Sequence, residues 1–117
     1  MADNRTKAEL LQGTLDMLIL KSLMGGPRHG YAIAEWIGAT TRDALRIEEG
    51  SLYPALHRME RRGWIASKWG QSESNRKAKF YQLTRTGRAR LGQQVHMWEN
   101  LVTAITLVLA AESKEAP

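Results

Sequence analysis

A segment spanning roughly residues 51–62 sorts its positive and apolar side chains onto opposite faces, as a helix that contacts both a protein core and a polyanion would. The apolar face consists of Leu52, Leu56 and Met59. The opposite face carries one histidine and three arginines: His57, Arg58, Arg61 and Arg62. The planar fork of an arginine fits guanine O6 and N7, and the DNA major groove admits a single helix. The pattern therefore predicts a DNA-reading helix, and an ordinary amphipathic surface helix is the alternative.

A second cluster of cations follows in a segment with the pattern of a β-hairpin. Residues 64–69 and 79–84 are rich in aromatic and β-branched side chains, which favour strands, and the polar residues between them are typical of a hairpin tip. Arg76 and Lys77 lie at that tip, and Lys79 follows. A basic hairpin beside a recognition helix would follow backbone phosphates or enter the minor groove. The two clusters together favour DNA binding more strongly than either does alone.

The charge of the whole chain is distributed in the same way. The 117 residues contain 17 Lys and Arg against 12 Asp and Glu, and residues 42–90 alone carry a net charge of +7. A basic middle between slightly acidic ends indicates a polyanion-binding surface, although a solvated charged face would give the same count. The chain has no cysteine, which excludes disulfides, thiolate metal sites and cysteine nucleophiles.

Further elements must hold these clusters in place, and glycines, prolines and apolar spacing delimit them. The predicted elements are a helix over 8–24, a helix over 30–40, a short strand over 45–47, the helix over 51–62, hairpin strands over 64–69 and 79–84, and a final helix from Thr84 or Thr86 to about Ala110. Ser51 is predicted to cap the third helix. The fold class is mainly α with a small β-hairpin, a winged helix-turn-helix over 8–86 followed by a long dimerisation helix over 87–111.

The final helix carries an apolar seam with the spacing of a coiled coil. Its positions alternate at four and three residues and are Leu91, Val95, Trp98, Val102, Ile105 and Leu109. The winged core needs only the start of this helix, so the remaining seam is predicted to pair with the same helix of a second chain. Packing of the seam back onto its own chain is the alternative. A two-fold dimer would present two recognition helices to a palindrome.

Several motifs resemble the PadR family of bacterial transcriptional regulators. The matching segments are 11–16, 26–31, 49–56, 62–65 and 79–84, with Gly87, within a resemblance that covers residues 10 to about 105. The run from Gly50 to Pro54, glycine-serine-leucine-tyrosine-proline, is highly specific in this context. Residues 69–76 are similar to the branch of the family that is common in acidobacteria.

The resemblance implies a homodimeric winged-helix repressor that a small molecule releases from its operator. Matched by position, the DNA contacts would be Ser51, Tyr53, His57, Arg58 and Arg61 from the third helix, then Ser74, Asn75, Arg76 and Lys77 from the wing. His57 departs from relatives that carry lysine there, which makes its charge pH-dependent. Tyr53 falls between the two helix faces, so its hydroxyl could reach a phosphate or its role could be purely structural.

The resemblance also implies an effector site at the dimer centre. Several similar proteins with a short C-terminal helix carry a tryptophan that matches Trp98 and faces its mate across a cavity that stacks flat ligands. The remaining lining would come from Val95, Val102, Ile105 and Leu18. Aromatic small molecules are the expected effector class, and simple core packing is the alternative role of Trp98.

Other functions find little support in the residues. No nucleophile–base pair, phosphate loop or paired carboxylates stand out, so neither enzymatic activity nor a cofactor or metal is expected. His29 has no metal-ligating partner at suitable spacing and is expected to be a structural cap or core residue. No apolar run spans a membrane and no signal peptide begins the chain, which favours a cytoplasmic location. The competing function is a winged-helix protein-interaction module without specific DNA binding.

Overall fold

The computed structural model describes the backbone of residues 4–112 and the side chains of residues 13–112. The elements are α1 (Asn4–Ser22), a 3₁₀ turn (Leu23–Gly25), β1 (Arg28–His29), α2 (Gly30–Thr40), α3 (Glu49–Arg61), β2 (Ile65–Gln71), β3 (Lys77–Leu83) and α4 (Arg85–Leu109). The chain is therefore mainly helical with a small antiparallel sheet, which confirms the predicted fold class. The predicted helix over 8–24 lies within α1 and the 3₁₀ turn, while the side chains of residues 8–12 and the tail after residue 112 lie outside the described residues.

The hydrophobic core lies where the first three helices meet the start of the sheet. Its fully buried side chains include Ile19, Leu20, Ile33, Ile37, Leu52, Leu56, Met59 and Ile65. The members from α3 are those that the sequence placed on its apolar face, so that prediction is confirmed. Burial of this face is the main force that holds α3 on the domain, because each such side chain contributes about 1.5–3 kcal/mol on leaving water.

The sheet has the strand order β1-β3-β2, and both pairings are antiparallel. β2 and β3 form the predicted hairpin, in which Ile65 pairs with Leu83. β1 adds only Arg28 and His29 along the other edge of β3. The strand predicted over residues 45–47 is wrong, because that segment pairs with none of the three strands of the sheet.

A side-chain-closed turn explains the conformation of the segment before α3. The Thr41 hydroxyl donates to the Ile37 carbonyl at 2.9 Å and accepts the Leu45 amide at 3.1 Å. Arg42 and Asp43 both adopt positive φ, which coils the backbone tightly. The chain then enters α3 at Glu49, after a Glu48 N-cap that makes no side-chain hydrogen bond. The prediction that Ser51 is the cap is therefore wrong, since Ser51 lies in the first turn.

α4 begins against the hairpin and then leaves the domain. The Thr84 hydroxyl caps the helix by accepting the Gly87 amide at 2.9 Å, and it donates to the Gly63 carbonyl at 2.6 Å. A Cβ on Gly87 would lie 1.8 Å from the Trp64 carbonyl oxygen, so only glycine fits there. Of the described α4 residues, Gly87 and Leu91 alone are buried. No helix within residues 4–112 is long and apolar enough to cross a membrane.

Candidate nucleic-acid interface

The outer face of α3 carries most of the polar side chains that the sequence assigned to DNA. Ser51, Tyr53, His57 and Arg61 are exposed, on the side opposite the buried stripe. Arg62, at the C-cap, is exposed as well. The helix is therefore anchored by its apolar face and free to present hydrogen-bond donors on the other face, which is the arrangement that a groove-reading helix requires.

Arg58 departs from this arrangement. Its side chain is only 18% exposed, and it donates from Nη2 to a carboxylate oxygen of Asp16 on α1. The prediction that Arg58 points away from the core is therefore wrong. The physical reason is Asp16, whose side chain is 6% exposed and which stands among apolar residues, where an unpaired carboxylate would be costly. Burial raises the pKa of Asp16 above its ordinary value, and Arg58 opposes that shift.

Tyr53 packs across the N-terminal end of α2. A Cβ on Gly30 would lie 2.8 Å from the Tyr53 ring and 2.9 Å from its hydroxyl oxygen, so the missing side chain of Gly30 makes room for the ring. The Tyr53 side chain is nevertheless 43% exposed. His29 caps the same helix end, where its Nδ1 accepts the Ala32 amide at 3.2 Å, which confirms its predicted structural role.

The wing ends in a tight turn that exposes its polar residues. Asn75 adopts a φ of 62°, and the Ser72 hydroxyl lies 3.1 Å from that of Ser74 and accepts the Arg76 amide at 3.3 Å. The residues predicted to contact DNA are all exposed here: Ser74, Asn75, Arg76 and Lys77. The turn therefore presents two cations on a backbone that its own hydrogen bonds hold in shape.

Glu60 joins the wing to α3. It accepts hydrogen bonds from the Ser67 hydroxyl on β2 at 2.5 Å and from Lys79 Nζ on β3 at 3.2 Å. The hydrogen bond from Ser67 and the charge of Lys79 lower the pKa of Glu60. Lys79 is thus partly neutralised, whereas Lys68 on β2 and Arg76 and Lys77 at the tip are exposed.

A cleft of about 780 Å³ separates the start of α2 from the wing, with Tyr53 at its edge. Two exposed aromatic side chains in its lining, Tyr31 and Trp69, were not among the predicted site residues. Trp69 is 63% exposed, and Lys77 Nζ lies 5.1 Å from the centroid of its ring. Sequence alone signals them weakly, because an aromatic residue in a short element usually belongs to the core.

The residues predicted to line an effector site divide between two environments. Val95, Trp98, Val102 and Ile105 are exposed along α4, and Trp98 is 45% exposed. Leu18, in contrast, lies half-buried on α1 against the core. Leu91, the first position of the heptad seam, is buried in the winged domain. The seam therefore starts inside the fold and continues onto an open helix surface.

Helices α1 to α3 followed by a basic hairpin define a winged helix-turn-helix protein. The family model described as "Transcriptional regulator PadR-like family" matches residues 19–93, so the chain belongs to the PadR-like family of transcriptional regulators. This membership confirms the resemblance seen in the sequence. The class of function is DNA-binding transcriptional regulation, and regulators of this kind are generally not enzymes.

Known proteins are similar to the chain over most of its length. The structure of a transcriptional regulator from Clostridium thermocellum matches with a TM-score of 0.76 and 31% identity, covering 84% of this chain and 95% of that one. A PadR family transcriptional regulator from Eggerthella lenta matches with a TM-score of 0.76 and 30% identity, covering 92% of each chain. An uncharacterised protein of Lysinibacillus sphaericus is 29% identical over 103 residues, which span 88% of this chain and 94% of that protein.

Proposed function

We propose that the protein is a homodimeric repressor that binds a palindromic operator and that a flat aromatic molecule releases it from DNA. The proposed DNA contacts are Ser51, Tyr53, His57 and Arg61 on α3, with Ser74, Asn75, Arg76 and Lys77 on the wing. Arg58 is assigned a supporting role instead of base readout, because its guanidinium is paired with Asp16.

The observation that carries this proposal is the open apolar face of α4. At 100° per residue, the exposed large side chains that share this face are Val95, Trp98, Leu101, Val102, Ile105 and Leu109. A continuous apolar strip of this kind is costly in water and is typical of a protein–protein interface. The heptad spacing of the seam favours a second α4 as its cover, since knobs-into-holes packing requires that repeat.

A two-fold dimer would also place two DNA-binding surfaces on the same face of the duplex. Two copies of α3 could enter successive major grooves, which lie about 34 Å apart along one face of the duplex. Arg61 would contact base edges, whereas Arg76 and Lys77 would neutralise phosphates. The operator would then be an inverted repeat whose half-sites each meet one α3 and one wing.

The proposed effector site lies on the seam. In a symmetric dimer, Trp98 would face its mate, with Val95 and Val102 above and below it. Two indoles with apolar neighbours suit a flat aromatic ligand, because stacking requires large parallel surfaces. A ligand that altered the distance between the two α4 helices would change the spacing of the recognition helices and so weaken operator binding.

Three measurements on one preparation test the proposal. Analytical ultracentrifugation should give a dimer. Fluorescence anisotropy across salt concentrations should show preference for an inverted repeat upstream of the gene over random DNA. The slope of the logarithm of the binding constant against that of the salt concentration should be about −5 if about six phosphates are neutralised per dimer. A reporter gene behind that repeat should be repressed. A flat salt response, or equal affinity for both duplexes, would favour a protein-interaction module instead.

Trp98→Ala tests the effector part separately. We expect this variant to bind the operator as the wild type does and to lose the fluorescence quenching that a bound flat aromatic compound causes. Retained affinity for such a compound in the variant would show that the site lies elsewhere.

A further inference from the structure

One ion pair joins the recognition helix to α1 across the interior of the domain. Arg58 Nη2 contacts Asp16 Oδ1, and the two side chains are 18% and 6% exposed. The partners are 42 positions apart in the chain, so the pair is a tertiary contact that links two helices. A buried carboxylate accepts a guanidinium in a narrow range of geometries, since any other position leaves the charge unpaired.

More positive side chains surround this pair. The positive charges of Arg62, at the C-cap of α3, and Arg90, on α4, act to lower the pKa of Asp16. The guanidinium carbons of Arg62 and Arg90 are 5.2 Å and 4.9 Å from the Trp64 ring. We call these five residues the charged junction: Asp16, Arg58, Arg62, Trp64 and Arg90. These residues lie where the start of α4 and the end of α3 approach α1.

We propose that Asp16 is a positioning residue for DNA recognition. It touches no DNA, but it holds Arg58 and thereby sets the rotation of α3 about its own axis relative to α1. His57 and Arg61 lie beside Arg58 and three residues beyond it, so the same rotation decides where their side chains enter the groove. The inference rests on the proposed function, because it explains how that surface is aligned.

The positioning role and a direct contact of Arg58 with DNA make opposite predictions for Asp16. If Arg58 read a base, Asp16 would compete with DNA for its guanidinium, and Asp16→Asn would leave binding intact or strengthen it. The substitution also adds one unit of positive charge to the net, which favours binding to any duplex. Both effects predict intact or stronger operator binding in Asp16→Asn. A loss of operator affinity in this variant would therefore support the positioning role.

The experiment compares Asp16→Asn, Arg58→Gln and the double variant with wild type, on operator and random duplexes of equal length. Asp43→Asn is the matched control, since it makes the same chemical change at an exposed position outside the proposed interface. We expect each single variant to lose about tenfold in operator affinity, a size typical of coupling between contacting residues. The double variant should lose no more than either single one, although its net charge equals that of wild type.

Amide hydrogen exchange without DNA gives a second readout. We expect faster exchange along α3 in Asp16→Asn than in Asp43→Asn, because the restraint on that helix is gone. Unchanged exchange on α3, or full operator affinity in Asp16→Asn beside a loss in Arg58→Gln, would overturn the positioning role. If wild type itself showed no preference for any duplex, the proposed function would fail, and the exchange data would still decide whether Asp16 holds α3.

Discussion

The winged domain and the distal part of α4 use the same kinds of apolar side chain in opposite ways. In the winged domain, residues such as Ile19, Leu56 and Ile65 are excluded from water by their own chain. Beyond Leu91, the valines, leucines and isoleucine of α4 remain exposed. A fold of this size can close one core around three helices and a hairpin, and it has no further layer with which to cover a 25-residue helix.

This difference separates folding from assembly. Changes in the winged domain should act on the stability of a single chain, whereas changes on the distal half of α4 should act on the association of two chains.

The largest effect is expected from Val102→Asp on the seam of α4. A charge buried at the centre of an apolar dimer interface would prevent association, since no opposite charge would compensate for its loss of hydration. We expect a monomer with near-wild-type helicity and at least about a hundredfold weaker operator binding, because one half-site cannot match two.

Thr103→Asp is the control for that variant. It places the same charge on the neighbouring exposed residue, off the heptad seam. Sedimentation should show that Thr103→Asp remains a dimer. Equal behaviour of the two variants would mean that the seam is not the interface.

The next effect concerns two glycines at the start of the same helix. Gly87→Ala would drive a Cβ into the Trp64 carbonyl, so we expect it to lower the free energy of unfolding by about 1–3 kcal/mol. Gly92→Ala meets nothing within 4 Å and should raise that free energy by about 0.5–1 kcal/mol, as alanine does inside a helix. Thermal unfolding followed by circular dichroism measures both; equal shifts would contradict the close packing at Gly87.

A third comparison, between Arg61→Ala and Lys77→Ala, distinguishes base readout from phosphate contact within the winged domain. Arg61→Ala should weaken specific binding by about 1–3 kcal/mol if its side chain forks to guanine, and should leave random DNA nearly unaffected. Lys77→Ala should weaken binding to both duplexes alike. Competition binding with operator and random DNA distinguishes the two, and an equal loss of both duplexes in Arg61→Ala would remove that residue from base readout.

The smallest effect is the pH dependence of two carboxylates that hold α3. The pKa of Glu60 is lowered from its ordinary 4.5, so its contribution to stability is present above that pH and is lost as the pH falls through the folded value. The pKa of Asp16 is raised from its ordinary 3.8, so its ionisation lowers stability as the pH rises from there through the folded value.

The two substitutions should therefore change the pH profile of unfolding in opposite directions. Glu60→Gln should flatten the loss of stability below pH 4.5, whereas Asp16→Asn should remove a loss that accompanies rising pH. Denaturant titrations at closely spaced acidic pH values measure both slopes. Profiles that changed in the same direction would contradict the assigned causes, which are hydrogen bonding for Glu60 and burial for Asp16.

Local patterns predicted most of the architecture. The three-and-four spacing of Leu52, Leu56 and Met59 specified which face of α3 is buried, and the β-branched and aromatic runs specified the hairpin. The strand Arg28–His29 could not be predicted, because two residues carry no periodicity and their pairing depends on the distant β3. The same limit produced the wrong strand at 45–47, where alternation suggested a partner that the fold does not supply.

The interface was predicted less completely, for a related reason. Helix geometry placed Arg58 in the outward group with His57 and Arg61, but it carries no information about where Asp16 lies. One signal was available, since Asp16 stands between Leu15 and Met17 in an otherwise apolar helix, and a lone buried carboxylate requires a cation. The sequence does not show which arginine pairs with Asp16.

The sequence by itself determined the periodic features of this protein: three helices, a basic hairpin, a heptad seam and a net positive charge concentrated between residues 42 and 90. Each follows from side-chain type and spacing along one element. Only the tertiary structure decided which cations face solvent, because an ion pair between distant positions forms only where helix packing brings the two side chains together. Arg61 has no ion-pair partner among the described side chains and is exposed, whereas Arg58 is paired with Asp16 and partly buried.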